Sequence, residues 1–277
     1  MRHACVVGHN IAHSRSPLIH GYWIRQHRLD ADYTIRDLDA AQLPSLIDEL
    51  RQRQLEGFNV TVPHKQTIIP LLDRIDEAAR QTGSVNTVYN DQGIISGTST
   101  DGEGFLTHLL TAHPSFSPSR CHVVILGAGG AARSIIGAMI SAGVSAITVA
   151  NRNRARAEEV ASLAPALTTV VSTDDLELAA QTADIVINTT SLGTGGKGEF
   201  PFPMQITSPS CIFADIVYVP LTTPFLARAE ALSRPTLDGL GMLLHQAVRG
   251  FELWFGIRPE VTPELRRLVE QDILASG

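Results

Sequence analysis

Short apolar runs alternate along the chain with stretches whose apolar residues return at helical spacing, the pattern of successive β-α units. The run His3–Gly8 predicts a strand, and Ser16–Leu29 a helix with Pro17 in its first turn, where proline is tolerated. A strand is expected over Tyr33–Leu38, a helix over Pro44–Arg53, and a strand over Gly57–Val62 that Pro63 stops. Helices are then expected over Lys65–Ile75 and Asp76–Gln81. Ser84–Tyr89 and Gly93–Thr98 alternate like paired strands around the turn Asn90-Asp91-Gln92-Gly93. The rhythm implies a largely parallel sheet covered by helices.

A helical stretch over Asp101–Leu110 and a Pro/Ser-rich loop, His113–Ser119, lead into a second series. Strands are predicted at Val123–Leu126, Ala146–Ala150, Thr168–Val171, Ile185–Asn188, Ile212–Ile216 and Thr236–Leu237. Leu240–Phe255 forms a long apolar helix that Gly256 is placed to stop. Two α/β domains are therefore expected. Residues 1–103 form a ligand-binding α/β domain, completed by C-terminal helices over 241–277. Residues 104–240 form a Rossmann-type domain with a doubly wound parallel sheet, and a cleft is expected between the two.

Composition narrows the possible functions. A formal charge of −6 over 277 residues argues against nucleic acid as the main partner. The most apolar stretch, Ile135–Ala150, is interrupted by Gly137, Ser141, Gly143 and Ser145, so no membrane span is expected. The N-terminal residues lead straight into the first strand, without the apolar core of a secretory leader. Cys5, Cys121 and Cys211 each lie beside a β-branched run and share no metal-site spacing. They read as buried thiols of a reduced compartment, the cytoplasm. Of the 22 basic residues only Lys65 and Lys197 are lysines. A guanidinium does not deprotonate in proteins, so a lysine kept in such a chain is a candidate for proton transfer. Lys197 lies in a glycine-rich stretch and reads as a solvated loop residue, which leaves Lys65 as the candidate.

The order strand, glycine turn, helix recurs at Cys121–Leu126 followed by Gly127-Ala128-Gly129-Gly130-Ala131. Gly127 permits the tight turn, while Gly129 and Gly130 let a pyrophosphate approach the backbone at a helix N-terminus. That context predicts a dinucleotide. The next strand ends in Asn151-Arg152-Asn153-Arg154-Ala155-Arg156, where an NAD site usually carries an acid for the ribose hydroxyl. Arginines suit a 2′-phosphate instead, so NADP is expected, with Arg152 first and Arg156 second as phosphate ligands. The alternative for these arginines is plain solvation.

Polar clusters in the first half fall at strand ends, where parallel sheets bind ligands. His13-Ser14-Arg15-Ser16-Pro17 precedes a helix, and its serines suit either a cap or a carboxylate. Asn59, Thr61 and Pro63 share one face of a strand, and Lys65 follows at the predicted helix start. Asn86 opens another strand, and Asp101 stands just before a helix, either as a cap or as a site carboxylate.

The segments HSRSP, NVTVPHK, SVNT, TDGEG, GAGGAA, NRNRAR, ADIVYVPLTTP and DGLGMLLHQA follow one another over nearly the whole chain. In this order they resemble the shikimate dehydrogenase family. The resemblance implies reversible reduction of 3-dehydroshikimate to shikimate by NADPH, within chorismate and aromatic amino-acid biosynthesis, and no metal. It implies Lys65 and Asp101 as the catalytic pair, and Ser14 and Ser16 as ligands of the substrate carboxylate. Thr61, Asn86, Tyr218 and Gln246 then contact the ring or its hydroxyls, with Asn59 a further candidate beside Thr61. Gly127, Ala128, Gly129, Gly130 and Ala131 with Asn151, Arg152, Asn153 and Arg156 hold NADP, and Ile216 and Gly239 lie by its nicotinamide half. The chain departs from the family pattern at Gly21, Ser99 and Asn153. Competing expectations are a quinate/shikimate or aminoshikimate dehydrogenase, a folate-linked dehydrogenase, and a non-catalytic NADP-sensing module. The partners expected are small molecules, with the chain a monomer or homodimer.

Overall fold

The computed structural model describes residues 1–173, 175–192 and 202–276. Its chain divides into two compact units, one of Met1–Asp101 with Leu244–Asp272, the other of Gly102–Leu243 with the last residues from Ile273 on.

The first unit contains β1 (Arg2–Gly8), α1 (Ser16–Gln26), β2 (Ala31–Asp37), α2 (Leu43–Arg51), β3 (Gly57–Val60), β4 (Arg74–Ile75), α3 (Glu77–Thr82), β5 (Thr87–Asp91) and β6 (Ile94–Thr98). The strands form one sheet in the order β2-β1-β3-β5-β6-β4. β5 alone runs against its neighbours, antiparallel to both β3 and β6. Its first residue, Thr87, pairs with Asn59 on one side and Thr98 on the other. The reversal therefore brings the residues just before β5 to the edge where β3 and β6 end. Side chains of β1 alternate between the two faces of the sheet. Cys5 and Val7 pack with Leu43, Leu46 and Leu50 of α2.

The helix expected over Lys65–Ile75 does not form. The chain takes a series of turns from Val62 to Ile68, a single 3-10 turn over Ile69–Leu71, and then β4, which pairs with β6. Pro70 is the physical reason. It lacks the N–H of an α-helical ladder and drives the residue before it away from helix, but fits the start of a 3-10 turn.

The second unit contains α4 (Asp101–Ala112), whose first residue the division assigns to unit one, then β7 (His122–Leu126), α5 (Gly130–Ser141), β8 (Ala146–Ala150), α6 (Arg154–Ala161), β9 (Thr168–Val171), α7 (Leu176–Ala180), β10 (Ile185–Asn188), β11 (Ile212–Asp215), α8 (Pro224–Ala231) and β12 (Thr236–Leu237). All its strand pairs are parallel, in the order β12-β11-β10-β7-β8-β9. This is a doubly wound Rossmann sheet, and the strand order reverses at β7 and β10. Val123 and Ile125 join a core with Ile135, Ile136 and Met139 of α5. Val124 and Leu126 join the opposite core with Phe225 and Leu226 of α8. Helices thus cover both faces, so these strands read as continuous apolar runs.

α9 (Gly239–Phe255) and α10 (Pro263–Ser276) end the chain. From Leu244 onward α9 belongs to the first unit, where it covers the sheet face opposite α2 with aromatic rings. Trp254 donates its indole N–H to the Val88 carbonyl at 3.0 Å. A Cβ on Gly57 would stand 2.1 Å from that indole nitrogen, so only glycine lets the ring lie on β3. His20 is fully buried in this cluster, stacked on Tyr33 at 4.1 Å and tilted against Trp254. Neither ring nitrogen meets hydrogen-bond geometry, although the Asn59 amide is near enough to oppose the effect of burial. Among the described residues no helix is long and apolar enough to cross a membrane.

Burial pushes the His20 pKa down from 6.5 to about 3. The unfolded chain then takes up a proton below pH 6.5 that the folded protein refuses. The stability that neutral His20 permits is complete above that pH and drains away as pH falls toward 3. Urea unfolding at pH 7 and pH 5 should show the wild type losing about 2 kcal/mol more than His20→Leu. Equal losses in the two proteins would mean that His20 already charges in the fold.

Candidate active site

In the first unit the ends of β1, β3 and β6 and the start of β5 lie along one sheet edge. The sequence delivers an amine, a carboxylate and an amide there. Lys65 sits in the turns that follow β3, with its carbonyl accepting from the Val85 amide at 2.8 Å. Its side chain is about one quarter exposed, and Nζ donates to Asp101 Oδ2 at 2.5 Å. Asp101 Oδ1 accepts from Asn86 Nδ2 at 2.8 Å. The Asn86 amide also donates to Thr100 Oγ1 at 3.0 Å and Gln246 Oε1 at 3.3 Å, while its oxygen accepts the Thr100 backbone N–H at 2.9 Å. Thr100 in turn donates to the Gln246 carbonyl at 2.9 Å. The structure thus joins Lys65, Asp101, Asn86 and Gln246 in one network. Each component has its reason: the cation needs a counter-charge, and the nearly buried carboxylate needs donors on both oxygens.

Thr61 follows β3 directly, and its backbone N–H donates to the Val7 carbonyl at 2.8 Å. Asn59 lies deeper. It is buried, its oxygen accepts the Tyr33 hydroxyl at 2.6 Å, and its nitrogen donates to the Asn86 carbonyl and to Thr87 Oγ1. These contacts make Asn59 a support beneath Asn86 and leave its amide turned to the interior. The serines flank the start of α1. The helix N-cap is Arg15, which makes no side-chain cap. Ser14 Oγ accepts the Ser16 amide at 3.3 Å, and Ser16 is buried.

In the second unit β7 is followed at once by Gly127, whose φ of 109° belongs to the left-handed region. A Cβ there would strike Thr189 Oγ1 at 2.5 Å, whereas one on Gly129 would meet nothing within 4 Å. The turn is closed on its inner side and open on its outer side. α5 begins at Gly130 with Gly129 as N-cap, and its first ladder bond runs from Arg133 to the Gly129 carbonyl. The amides of Gly130, Ala131 and Ala132 therefore lack intrahelical acceptors. With the half-buried Ala128, this makes a cradle for an anion.

Beyond β8, Asn151 Nδ2 donates to the Asn153 carbonyl, and Asn153 caps α6 by accepting the Arg156 amide at 3.2 Å. Arg154 pairs with Glu158 at 2.8 Å. Arg152 and Arg156 are exposed, and neither forms an ion pair among the described residues. Ile216 and Gly239 also meet, since a Cβ on Gly239 would lie 2.4 Å from the Ile216 carbonyl. Tyr218 is half-buried just after β11, within this second unit. Lys197 lies outside the described residues. Among those residues no group of three or more His, Cys, Asp or Glu is arranged to hold a metal ion.

The amino-acid pattern gave no sign of Thr100 or Tyr33 as network members. Nor did it single out Asp215, the buried last residue of β11. Its Oδ1 accepts from Asn188 Nδ2 at 2.9 Å and the Val217 amide at 3.0 Å, and its Oδ2 accepts from Thr223 at 2.6 Å. Burial raises its pKa above the usual carboxylate value against the pull of those donors. The partners of Thr100 and Asp215 stand as far as 146 residues away, beyond any local motif.

Replacing the hub tests the network directly. Asn86→Ala leaves the Thr100 amide and one Asp101 oxygen without their partner and should lower unfolding stability by about 1–3 kcal/mol. An unchanged urea midpoint would show that these bonds exchange freely for water.

Comparison with known proteins agrees along the chain. Residues 6–88 match the shikimate dehydrogenase substrate binding domain family, residues 111–194 the shikimate/quinate 5-dehydrogenase family, and residues 239–263 the shikimate 5′-dehydrogenase C-terminal domain family. The chain is 42% identical to the NADP(+) shikimate dehydrogenase of Rhodopseudomonas palustris, over 98% of this chain and 97% of that one. The crystal structure of shikimate 5-dehydrogenase from Thermus thermophilus, in complex with NADP(H) and shikimate, is 30% identical with a TM-score of 0.85 and full coverage of both chains. Quinate dehydrogenase from Corynebacterium glutamicum, in complex with NAD, is 30% identical with a TM-score of 0.89, over 98% of this chain and 99% of that one.

Proposed function

The chain belongs to the shikimate dehydrogenase family, and on that footing we propose how its own residues carry out the reversible reduction of 3-dehydroshikimate to shikimate. It is an NADP-dependent oxidoreductase acting on a CH–OH group. The observation that carries the residue-level reading is the Lys65–Asp101–Asn86 network at one sheet edge.

The residues present fit the cofactor. The outward-open turn at Gly127–Gly129 and the free amides at the start of α5 suit a pyrophosphate, and Arg152 and Arg156 are available to a 2′-phosphate. Ile216 and Gly239 frame the nicotinamide half. When bound, NADPH supplies the hydride that reduces the ring carbonyl carbon.

Lys65 acts on the oxygen of that carbonyl. Its ammonium opposes the negative charge that grows there and donates the proton that completes the alcohol. In the oxidative direction the neutral amine takes the proton of the ring hydroxyl. Asp101 orients the amine through Oδ2 and, beside the substrate hydroxyl, limits which ring positions can be presented. Asn86, fixed from below by Asn59, keeps Oδ1 in place. Ser14 and Ser16 bind the substrate carboxylate, while Thr61, Gln246 and Tyr218 contact the ring and its hydroxyls. Placement in the cytoplasm rests on three free, buried cysteines, which fit a reducing compartment. The curated relatives named NADP(+) shikimate dehydrogenase, at 41–44% identity, favour shikimate over the quinate and aminoshikimate readings. An NAD-linked variant is opposed by the absence of any acid between Ala150 and Ala157.

Lys65→Ala should lower kcat by about 10²–10⁴-fold in shikimate-dependent reduction of NADP⁺, while NADP⁺ still binds by calorimetry. Turnover close to wild type would remove Lys65 from the reaction. Arg152→Asp should shrink the preference for NADP over NAD, in kcat/KM, by at least about tenfold. A preference left intact would mean that Arg152 faces only water.

A further inference from the structure

We infer that the C-terminal segment 260–272 is a clamp that positions the carboxylate-binding serines, with Arg15 and Asp272 as its positioning residues; the inference rests on the proposed role of Ser14 and Ser16. Arg15 lies between the two serines and is only 9% exposed. A guanidinium at that depth stays charged and requires a counter-ion. Asp272 of α10 supplies it, with Oδ2 3.0 Å from Arg15 Nε. Ser16 also has a side-chain contact with Tyr33, on the interior side of α1. Ser14 Oγ accepts the neighbouring Ser16 amide at 3.3 Å, and the N-cap residue itself makes no side-chain cap.

The same terminal segment grips α1 further along. Tyr22 Oη lies 3.1 Å from Thr262 Oγ1, and Trp23 Nε1 donates to the Glu260 carbonyl at 2.9 Å. Thr262 also accepts the Leu265 amide, so the residue that meets Tyr22 is the one that starts α10. Trp23 is fully buried and meets Phe251 edge-on at 5.4 Å. Three tethers from one segment thus fix the first residue before α1 and its second turn. α1 cannot slide along its axis without breaking all of them. The serines at its start are therefore set by residues roughly 250 positions away, as the Arg15–Asp272 pair shows.

The clamp acts on binding of the carboxylate and leaves the proton-transfer pair alone. Asp272→Asn should raise KM for shikimate about tenfold, with kcat and KM for NADP⁺ within about twofold of wild type. Asp272→Glu should restore most of the loss. In a Ser14→Ala/Ser16→Ala background, Asp272→Asn should add less than about twofold, because the groups being positioned have gone. If Ser16→Ala itself leaves KM unchanged, the serine reading fails. If Ser16→Ala raises KM while Asp272→Asn does not, the clamp alone is overturned. A loss of thermal stability with no change in KM, or a fall in kcat equal to the fall in kcat/KM, also overturns it. Should Asp272→Asn fail to fold, Tyr22→Phe removes one tether and only a hydroxyl; KM should rise about threefold, and an unchanged KM refutes the clamp.

Discussion

A cation and a carboxylate held together at a sheet edge govern the rest of the first unit. Lys65 and Asp101 form a largely buried pair, and such a pair is weak evidence of stability, because desolvating both charges costs about as much as their attraction returns. The pair persists because its surroundings were built for it. Reversal of β5 brings Asn86 within 2.8 Å of the carboxylate. Thr100 and Gln246 then lock the Asn86 amide, and the carboxylate can neither swing away from the lysine nor lose its second set of bonds. A flexible four-carbon amine is held in this way in one direction.

The second unit solves a different problem, binding a polyanion with little net positive charge. The chain as a whole carries −6, so long-range attraction cannot do it. Local dipoles and exposed guanidinium groups are what the unit offers instead. The left-handed turn at Gly127 points the open amides of α5 outward. Arg154 is tied to Glu158 and serves α6, which leaves Arg152 and Arg156 as the cations of this group without an ion pair among the described residues. Spacing along the sequence identified the arginine group, but the division of labour inside it appears only when Glu158 falls one helical turn from Arg154.

What was legible in the sequence follows the same physics. β8, β9, β10 and β12 match their predicted limits; for the inner strands β8 and β10 the reason is that strands buried on both faces have apolar runs with sharp ends. The glycine turn, Lys65 and Asp101 were visible because strand ends and helix starts carry local signals. The turns after Val62 were misread as a helix, since the apolar spacing of Ile68, Ile69, Leu71 and Leu72 outweighed the veto of Pro70. Asn59 was placed on the right face of its strand, but only the three-dimensional partners Tyr33 and Thr87 show that it points to the interior. Thr100, Arg15 and Asp272 acquire their partners through contacts that cross most of the chain, and no periodicity encodes those.

The two units use one device with opposite ends. In each, an asparagine donates its amide to Oδ1 of a buried aspartate, Asn86 to Asp101 at 2.8 Å and Asn188 to Asp215 at 2.9 Å. The difference lies in what meets Oδ2. For Asp101 it is the Lys65 ammonium, a group that can release a proton. For Asp215 it is the Thr223 hydroxyl at 2.6 Å, which also caps α8, while Oδ1 takes the Val217 amide. With neutral donors alone, burial keeps the Asp215 pKa raised. Its bonds bind together the segment 215–223 that carries Tyr218. An identical asparagine–aspartate contact thus belongs to an ion pair where a cation completes it and to a loop anchor where a hydroxyl does. The identity of that third partner, more than the carboxylate itself, separates an ion pair from a loop anchor in this fold.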